Sequence, residues 1–497
     1  MEDSITSGLN GPADGPASSS AAERPVGGSG SKTLGSSRSV IRAPAAGRGR
    51  LPAAAGGGAV VDRGRVPAAA GGGAAISEAI AYVPGRVAAW AMRRSMSPNS
   101  ATAISFILAV CAAVWFSGGS RPDSTKAALA LCGSYLAAWA ARLLTMSMAG
   151  TPTGTSAGVR AGTSAGAVEH GPDIARASRA ASAAAVGAAA SAAVGAERLA
   201  RLTGPVCEFA IYAGLAVGAH AARWSGAWEL ATVAVILLSV RQTMLACGDT
   251  TGARSRQILS GSGWRALAPP GAARLALVAV VASIWGTRMA LVALLAWGIA
   301  AAGYAMTVPP AGQAKGSVTR YRDDGEIARW LGRLVRGNIP ALPPALAGLA
   351  ATATLAMLGL RDLPGVLVLT PAIAMLLAAP GSSDSHAGMF DWLVPAILQA
   401  GQFLYVAAVG FSCGVPAPVT FALCAVIGLR YLALAGPVLP GQSRPDLGSR
   451  LGWEGRMLVV GVGALAGFPT FAYAALTAYL GVLICAKVMT SAEGVGQ

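Results

Sequence analysis

From residue 100 onward the sequence repeats one pattern, an apolar run, most often of about 17 to 21 residues with at most a few charges, followed in most cases by a segment bearing arginine or lysine. A helix of that length, rising 1.5 Å per residue, crosses ~30 Å of hydrocarbon. Lipid offers backbone amides no hydrogen-bond partner, so a chain with many such runs folds as helices that satisfy their own. The runs fall at 100–118, 127–148, 204–222, 228–247, 270–287, 289–306, 341–360, 363–380, 393–412, 417–437 and 457–486. The expected fold class is all-α, a polytopic transmembrane helix bundle of about eleven spans, within a range of ten to twelve. Two places leave the count open. Arg288 alone interrupts 274–306, which reads as one hairpin or one long span, and the long last run reads as one span or as two helices linked around Phe468-Pro469.

Composition points the same way. Hydrophobic residues make up 54% of the chain and charged residues 12%, where soluble chains carry about a quarter. The net charge of +16 resides in segments between the runs and not on one amphipathic face, so it reads as a determinant of topology and no nucleic-acid partner is expected. Placing the N-terminus in the cytoplasm puts Arg86, Arg93 and Arg94 and the basic segments 149–203, 249–274, 307–340 and 441–456 inside. Only Arg121, Lys126, Arg223, Arg288, Arg361 and Lys487 fall outside.

Residues 1–97 form a Gly/Ala/Ser/Arg-rich segment with a tandem repeat (Arg48-Gly-Arg-Leu-Pro-Ala-Ala-Ala-Gly-Gly-Gly, then Arg63-Gly-Arg-Val-Pro-Ala-Ala-Ala-Gly-Gly-Gly). It is expected to be a disordered cytoplasmic tail with no signal-peptide core. Spans 1–2 then occupy 98–150, a low-complexity Ala-rich cytoplasmic loop 151–203, spans 3–6 residues 204–306, a basic cytoplasmic loop 307–340, spans 7–11 residues 341–487, and a short tail 488–497. The uncharged Ala180–Ala196 stretch is kept out of the membrane because Ala adds little insertion energy and arginines flank it.

Ionisable and amide side chains at membrane depth are the functional candidates. Arg142, Arg241 and Arg430 each lie about one and a half turns before a cytoplasmic end, a position that favours snorkelling over a substrate or ion-pair role. Glu208, about one turn inside the third span, is the best candidate for a buried pair, with Arg241 as its expected partner, and reads equally as an interfacial carboxylate reaching water. Gln399 and Gln402 share one face of the ninth span, where interhelical hydrogen bonding competes with lining a polar path. In 325–336, Ile327, Trp330, Leu331 and Leu334 share a face flanked by Arg329, Arg333 and Arg336, the pattern of an amphipathic helix lying on an anionic leaflet. No Walker loop, nucleophile elbow, paired carboxylates or metal-ligand spacing is present in the sequence, so no enzyme activity, cofactor or metal is expected. The seven cysteines all sit in or beside apolar runs and read as buried thiols.

Arg in place of Lys at all but four basic positions, slipped Gly/Ala repeats in the tail, ten or more Ala/Leu/Val-rich spans and the absence of N-glycosylation sequons together resemble one family. It is the multispanning membrane protein encoded by unique-long gene forty-three of the alphaherpesviruses. The resemblance implies a non-enzymatic component of host membranes and the virion envelope that modulates membrane fusion or glycoprotein trafficking, with the lipid bilayer and other viral envelope glycoproteins as partners. The competing resemblance is to the equilibrative nucleoside transporter plan, with eleven spans and a long basic cytoplasmic loop between the sixth and seventh. It implies solute transport.

Overall fold

The computed structural model describes residues 90, 93–94, 96–150, 202–248, 271–307, 323–335, 340–358, 365–382, 393–435 and 451–493, and every regular element among them is a helix. Most of the expected tail, the Ala-rich insert up to residue 201, residues 308–322 of the basic segment and Arg336 lie outside the described residues, as do positions 494–497.

In chain order the helices are α1 (Pro98–Ser117), α2 (Arg121–Gly150), α3 (Leu202–Ala221), α4 (Ala227–Gly248), α5 (Gly271–Trp285), α6 (Thr287–Thr307) and α7 (Glu326–Val335). They continue as α8 (Leu342–Leu358), α9 (Thr370–Leu376), α10 (Ala379–Ser382), α11 (Val394–Ser412), α12 (Ala417–Ala435), α13 (Trp453–Leu465) and α14 (Pro469–Glu493). Seven of them, α1 to α4, α6, α11 and α14, are long and apolar enough to cross a membrane. Shorter apolar helices at Arg274–Trp285, Leu342–Leu358, Gly365–Leu376 and Ala417–Ala433 occupy the remaining expected runs. Local chemistry sets the ends. Ser97 caps α1, its hydroxyl accepting the Ser100 amide at 3.1 Å, and Pro98 follows at the first turn, where its missing N–H is no loss.

Both open places resolve as breaks. Gly286 (φ 89°) turns the chain between α5 and α6, and Gly467 (φ 78°) turns it between α13 and α14. Such backbone is strained for residues with a Cβ. The eighth run differs from a single continuous span. It enters through a 3-10 turn at Gly365–Leu369, α9 follows, and a turn at 377–378 separates α10. Pro371, which lacks an N–H and fixes its own φ, accounts for the start of α9 there.

The packing divides the bundle into two sets of six helices that repeat one another. In the first set α1 packs on α2, α2 on α5, α4 on α6 and α5 on α6; in the second α8 packs on α9, α9 on α13, α12 on α14 and α13 on α14. The turns match as well. The α3–α4 turn holds Arg223 at φ 61° and the α11–α12 turn holds Gly414 at φ 71°, while Gly286 and Gly467 occupy the α5–α6 and α13–α14 turns. The sequence carries the same echo. Arg274-Leu-Ala-Leu-Val-Ala-Val-Val opens α5, and Arg456-Met-Leu-Val-Val-Gly-Val-Gly opens α13. Val240-Arg241-Gln-Thr-Met-Leu-Ala in α4 answers Leu429-Arg430-Tyr-Leu-Ala-Leu-Ala in α12.

The two sets meet where α4 packs on α12. Ser239 and Gly428, each two residues before its helix's arginine, face each other. A Cβ built on Gly428 would stand 2.6 Å from Ser239 Oγ and 3.3 Å from the Phe209 ring of α3. Two equivalent residues in contact are what a pseudo-two-fold axis between the helices requires. Each half also lends side chains to the other's core. Phe421 and Ala425 of α12 belong to the first core, Trp228 meeting Phe421 edge-on at 5.5 Å, and Val240 and Met244 of α4 belong to the second. Burying such side chains against protein in place of lipid yields mainly close packing, since lipid tails are as apolar as leucine.

Candidate functional site

Each half encloses one buried charge centre, built from equivalent helices. In the first half α3 supplies Glu208 and Tyr212, α4 supplies Arg241, α5 supplies Arg274 and α6 supplies Trp297. Arg274 Nη2 donates to Glu208 Oε2 at 2.9 Å, and the Tyr212 hydroxyl donates to Glu208 Oε1. Glu208, Arg274 and Arg241 are all at least nine-tenths buried. The two guanidinium groups share one aromatic partner, lying 5.5 Å (Arg274) and 5.4 Å (Arg241) from the centroid of Trp297.

Glu208 is thus a buried ion-pair residue, and its partner is Arg274 in place of the expected Arg241. Arg274 escaped attention because it ends a basic loop in the sequence, yet α5 begins at Gly271 and carries it inside the bundle. Arg241 does not snorkel out to the interface. It is 6% exposed, stacked on Trp297, and its Nε has no hydrogen-bond partner.

In the second half the anion comes from the segment preceding α7. Asp323 receives Arg430 of α12 through Nε at 3.1 Å and Nη2 at 2.6 Å, and its other oxygen receives Arg456 Nη2 of α13. Arg456 Nη2 also reaches Gln402 Oε1 at 3.2 Å, and the Tyr431 hydroxyl donates to that same amide oxygen at 2.9 Å. Around this core Trp453 Nε1 donates to Asp324 Oδ1 at 3.0 Å, the Trp453 amide to the Asp323 carbonyl at 3.1 Å, and the Ala328 amide of α7 to Glu454 Oε1 at 3.2 Å. The loop before α7 and the first turn of α7 are therefore fastened beneath α12 and α13.

Arg430, like Arg241, is corrected from a snorkelling side chain to a buried one, here paired with Asp323. Arg142 is exposed on α2. Gln399 and Gln402 are both fully buried. Gln402 takes the interhelical bonds just named, whereas neither amide atom of Gln399 has a partner. Tyr212, Arg274, Trp297, Asp323, Tyr431 and Arg456 are the members that sequence reasoning missed. The signal that could have found two of them is the repeat itself, since Arg274 and Arg456 open matching apolar strings.

In α7, Ala328 and Gly332 face the bundle while Ile327, Trp330 and Leu334 are 41%, 58% and 66% exposed beside exposed Arg329 and Arg333; Leu331 is half-buried. The apolar side chains thus lie outward, as an element resting on a leaflet would present them.

Beside the first centre a half-open cleft is lined by Tyr212, Arg241, Arg274, Trp297 and the leucines of α4 and α6. The space open to the centre of a water is about 20 Å³, room for about one water-sized group. No family profile, no curated protein and no solved structure matches this chain.

Proposed function

We propose that this chain is a multi-pass membrane protein that crosses the bilayer twelve times as two parallel six-helix repeats, and that it works as a carrier of a small polar solute between them. The observation behind this reading is the repeat, with matched packing, matched left-handed turns and a pair of arginines at matched depth in each half. Parallel repeats about an axis along the membrane normal are a recurring plan of secondary transporters, in which one half rocks against the other around a site near the interface. Counting α13 as a crossing moves Lys487 to the cytoplasmic side, so that only Arg121, Lys126, Arg223, Arg288 and Arg361 remain outside. α5 and α13 are short for crossings, at 15 and 13 residues, and share that shortness across the repeat; α9, at 7 residues after the 3-10 turn at Gly365–Leu369, is short where its counterpart α2 has 30, and all three pack within the bundle.

A second reading, favoured by the slipped tail repeats and the arginine bias, places the protein in host-cell membranes and the virion envelope as a non-enzymatic modulator of fusion or glycoprotein trafficking. The first reading concerns activity and the second concerns location. Uptake of labelled nucleosides, phosphate and small carboxylates into proteoliposomes tests the carrier. Saturable uptake above empty liposomes is expected, and uptake no faster than leak for every solute would sink it. Mass spectrometry of purified virions from expressing cells tests location.

A further inference from the structure

The two charge centres are built alike but balanced differently. In the second half the chain places a carboxylate, Asp323, between Arg430 and Arg456 and bonds it to both. In the first half the equivalent arginines are Arg241 and Arg274, and the only carboxylate at the centre among the described residues is Glu208. It is committed to Arg274 and Tyr212. Arg241 forms no ion pair among the described residues. It is nine-tenths buried, one face lies on Trp297, its Nε is unpartnered, and it lines the half-open cleft. A buried guanidinium that no carboxylate among the described residues bonds is expensive at membrane depth.

We infer that the cleft between Arg241, Arg274, Trp297 and Tyr212 is an anion-binding site that takes one oxyanion group, a carboxylate or phosphoryl, in the role that Asp323 plays in the other half. The space matches the end of such a group: it admits about one water-sized set of atoms, and the open side leaves the remainder of the molecule outside. The guanidinium edge left free by Trp297 offers the charge-assisted, directional hydrogen bonds that such oxygens accept best. With the Tyr212 proton given to Glu208, the donors that line the cleft are guanidinium N–H groups, so the ligand must accept hydrogen bonds from them, and their positive charge disfavours amines and favours an anionic oxygen group. The inference goes beyond the carrier reading, because a permanently bound anion fills the site as well as a transported one.

Labelled inorganic phosphate is equilibrated with the full chain in nanodiscs of phosphatidylcholine alone, and again in nanodiscs containing phosphatidylserine. Saturable binding, one phosphate per chain and reduced about tenfold or more by Arg241→Gln, is expected in the neutral discs. Loss of that binding in the anionic discs identifies the lipid headgroup as the source, and its persistence identifies a soluble anion; either outcome supports the site. Should Arg241→Gln not fold, Arg241→Lys keeps the charge without the guanidinium edge, and phosphate must bind it more weakly than wild type. Absence of saturable binding to the wild-type chain, or equal binding to the folded variant, overturns the site. Neither measurement depends on uptake, so a failed carrier assay leaves the site standing and a failed site leaves the carrier to its own assay.

Discussion

The two buried centres share a scaffold and differ in where their anion comes from. In the first half Glu208 lies on a helix of the bundle, α3, two helices before α5, which carries the arginine it neutralises. In the second, Asp323 arrives from outside the repeated helices, on the segment between the halves, and joins Arg430 of α12 to Arg456 of α13. The first centre is therefore complete within one half as far as Arg274 is concerned and incomplete for Arg241. The second is complete only while the connecting segment stays docked. The two pairs of arginines serve different ends: one lines a half-open cleft, and the other holds the segment before α7 in place.

The difference can be broken most sharply at Asp323. Asp323→Asn keeps the shape but leaves Arg430 and Arg456 buried without a countercharge, and breaking a buried pair from one side costs about 3–5 kcal/mol. Unfolding midpoints in a mild detergent should fall steeply, and proteolysis within the segment before α7 should accelerate. An Asp323→Asn chain as stable as wild type would mean that the two arginines find water in the bundle and that the docking is incidental.

The second effect is smaller and tests the pairing within the first half. Glu208→Gln leaves one buried guanidinium, Arg274, without its countercharge where Asp323→Asn leaves two, so a loss of about 3 kcal/mol is expected, below that at Asp323. A double-mutant cycle with Arg274 should show coupling, because the two side chains touch. The same cycle with Arg241 should show less, since Arg241 shares the Trp297 ring with Arg274 but makes no hydrogen bond to Glu208. Equal coupling in both cycles would return Glu208 to a shared position between the two arginines.

How much of this was legible in the sequence follows from what kind of information each part needs. The apolar runs were legible because lipid imposes length and composition locally, and helices stand at every one of them. The breaks at Gly286 and Gly467 were legible only as possibilities, because glycine is frequent within membrane helices and does not by itself mark a turn. Glu208 stood out as a charge inside a run. Arg274 and Arg456 did not, since each sits at the boundary between a basic loop and an apolar string, where charge is ordinarily read as topology. Asp323 was invisible for a stronger reason: nothing local tells a loop aspartate that re-enters the bundle from one that faces water. The repeat lay in the sequence throughout, but low-complexity Ala/Leu/Val strings resemble one another anyway, and only matched turns and packing separate a repeat from shared composition.

A third test addresses the seam between the halves. Gly428→Val places a branched side chain against Ser239 and the Phe209 ring, where even a Cβ stands 2.6 Å from Ser239 Oγ. Overpacking of this kind costs about 1–3 kcal/mol, and Ser239→Ala in the same chain should recover part of it by removing the nearest atom. If α4 and α12 slide past each other in a carrier cycle, the single variant should slow uptake more than it lowers stability. Full recovery of stability without recovery of uptake would place the moving surface elsewhere.

The smallest effect separates the matched turns. Gly414 at φ 71° has open space where a Cβ would go, so Gly414→Ala meets no clash and reports backbone strain alone, about 1–2 kcal/mol. Arg223 bears a side chain at φ 61° in the equivalent turn, and Arg223→Gly removes that strain. It also frees the unfolded chain, because glycine gains more conformational entropy on unfolding than any other residue, and this offsets the relief by about 0.5–1 kcal/mol. The two terms oppose each other at Arg223, whereas at Gly414 added strain exceeds what alanine's stiffer unfolded chain returns. Thermal midpoints should therefore drop for Gly414→Ala and hardly move for Arg223→Gly. A drop for Arg223→Gly as large as that for Gly414→Ala would mean that the arginine side chain stabilises its turn by contacts outweighing its strain, and that the two turns match in backbone only.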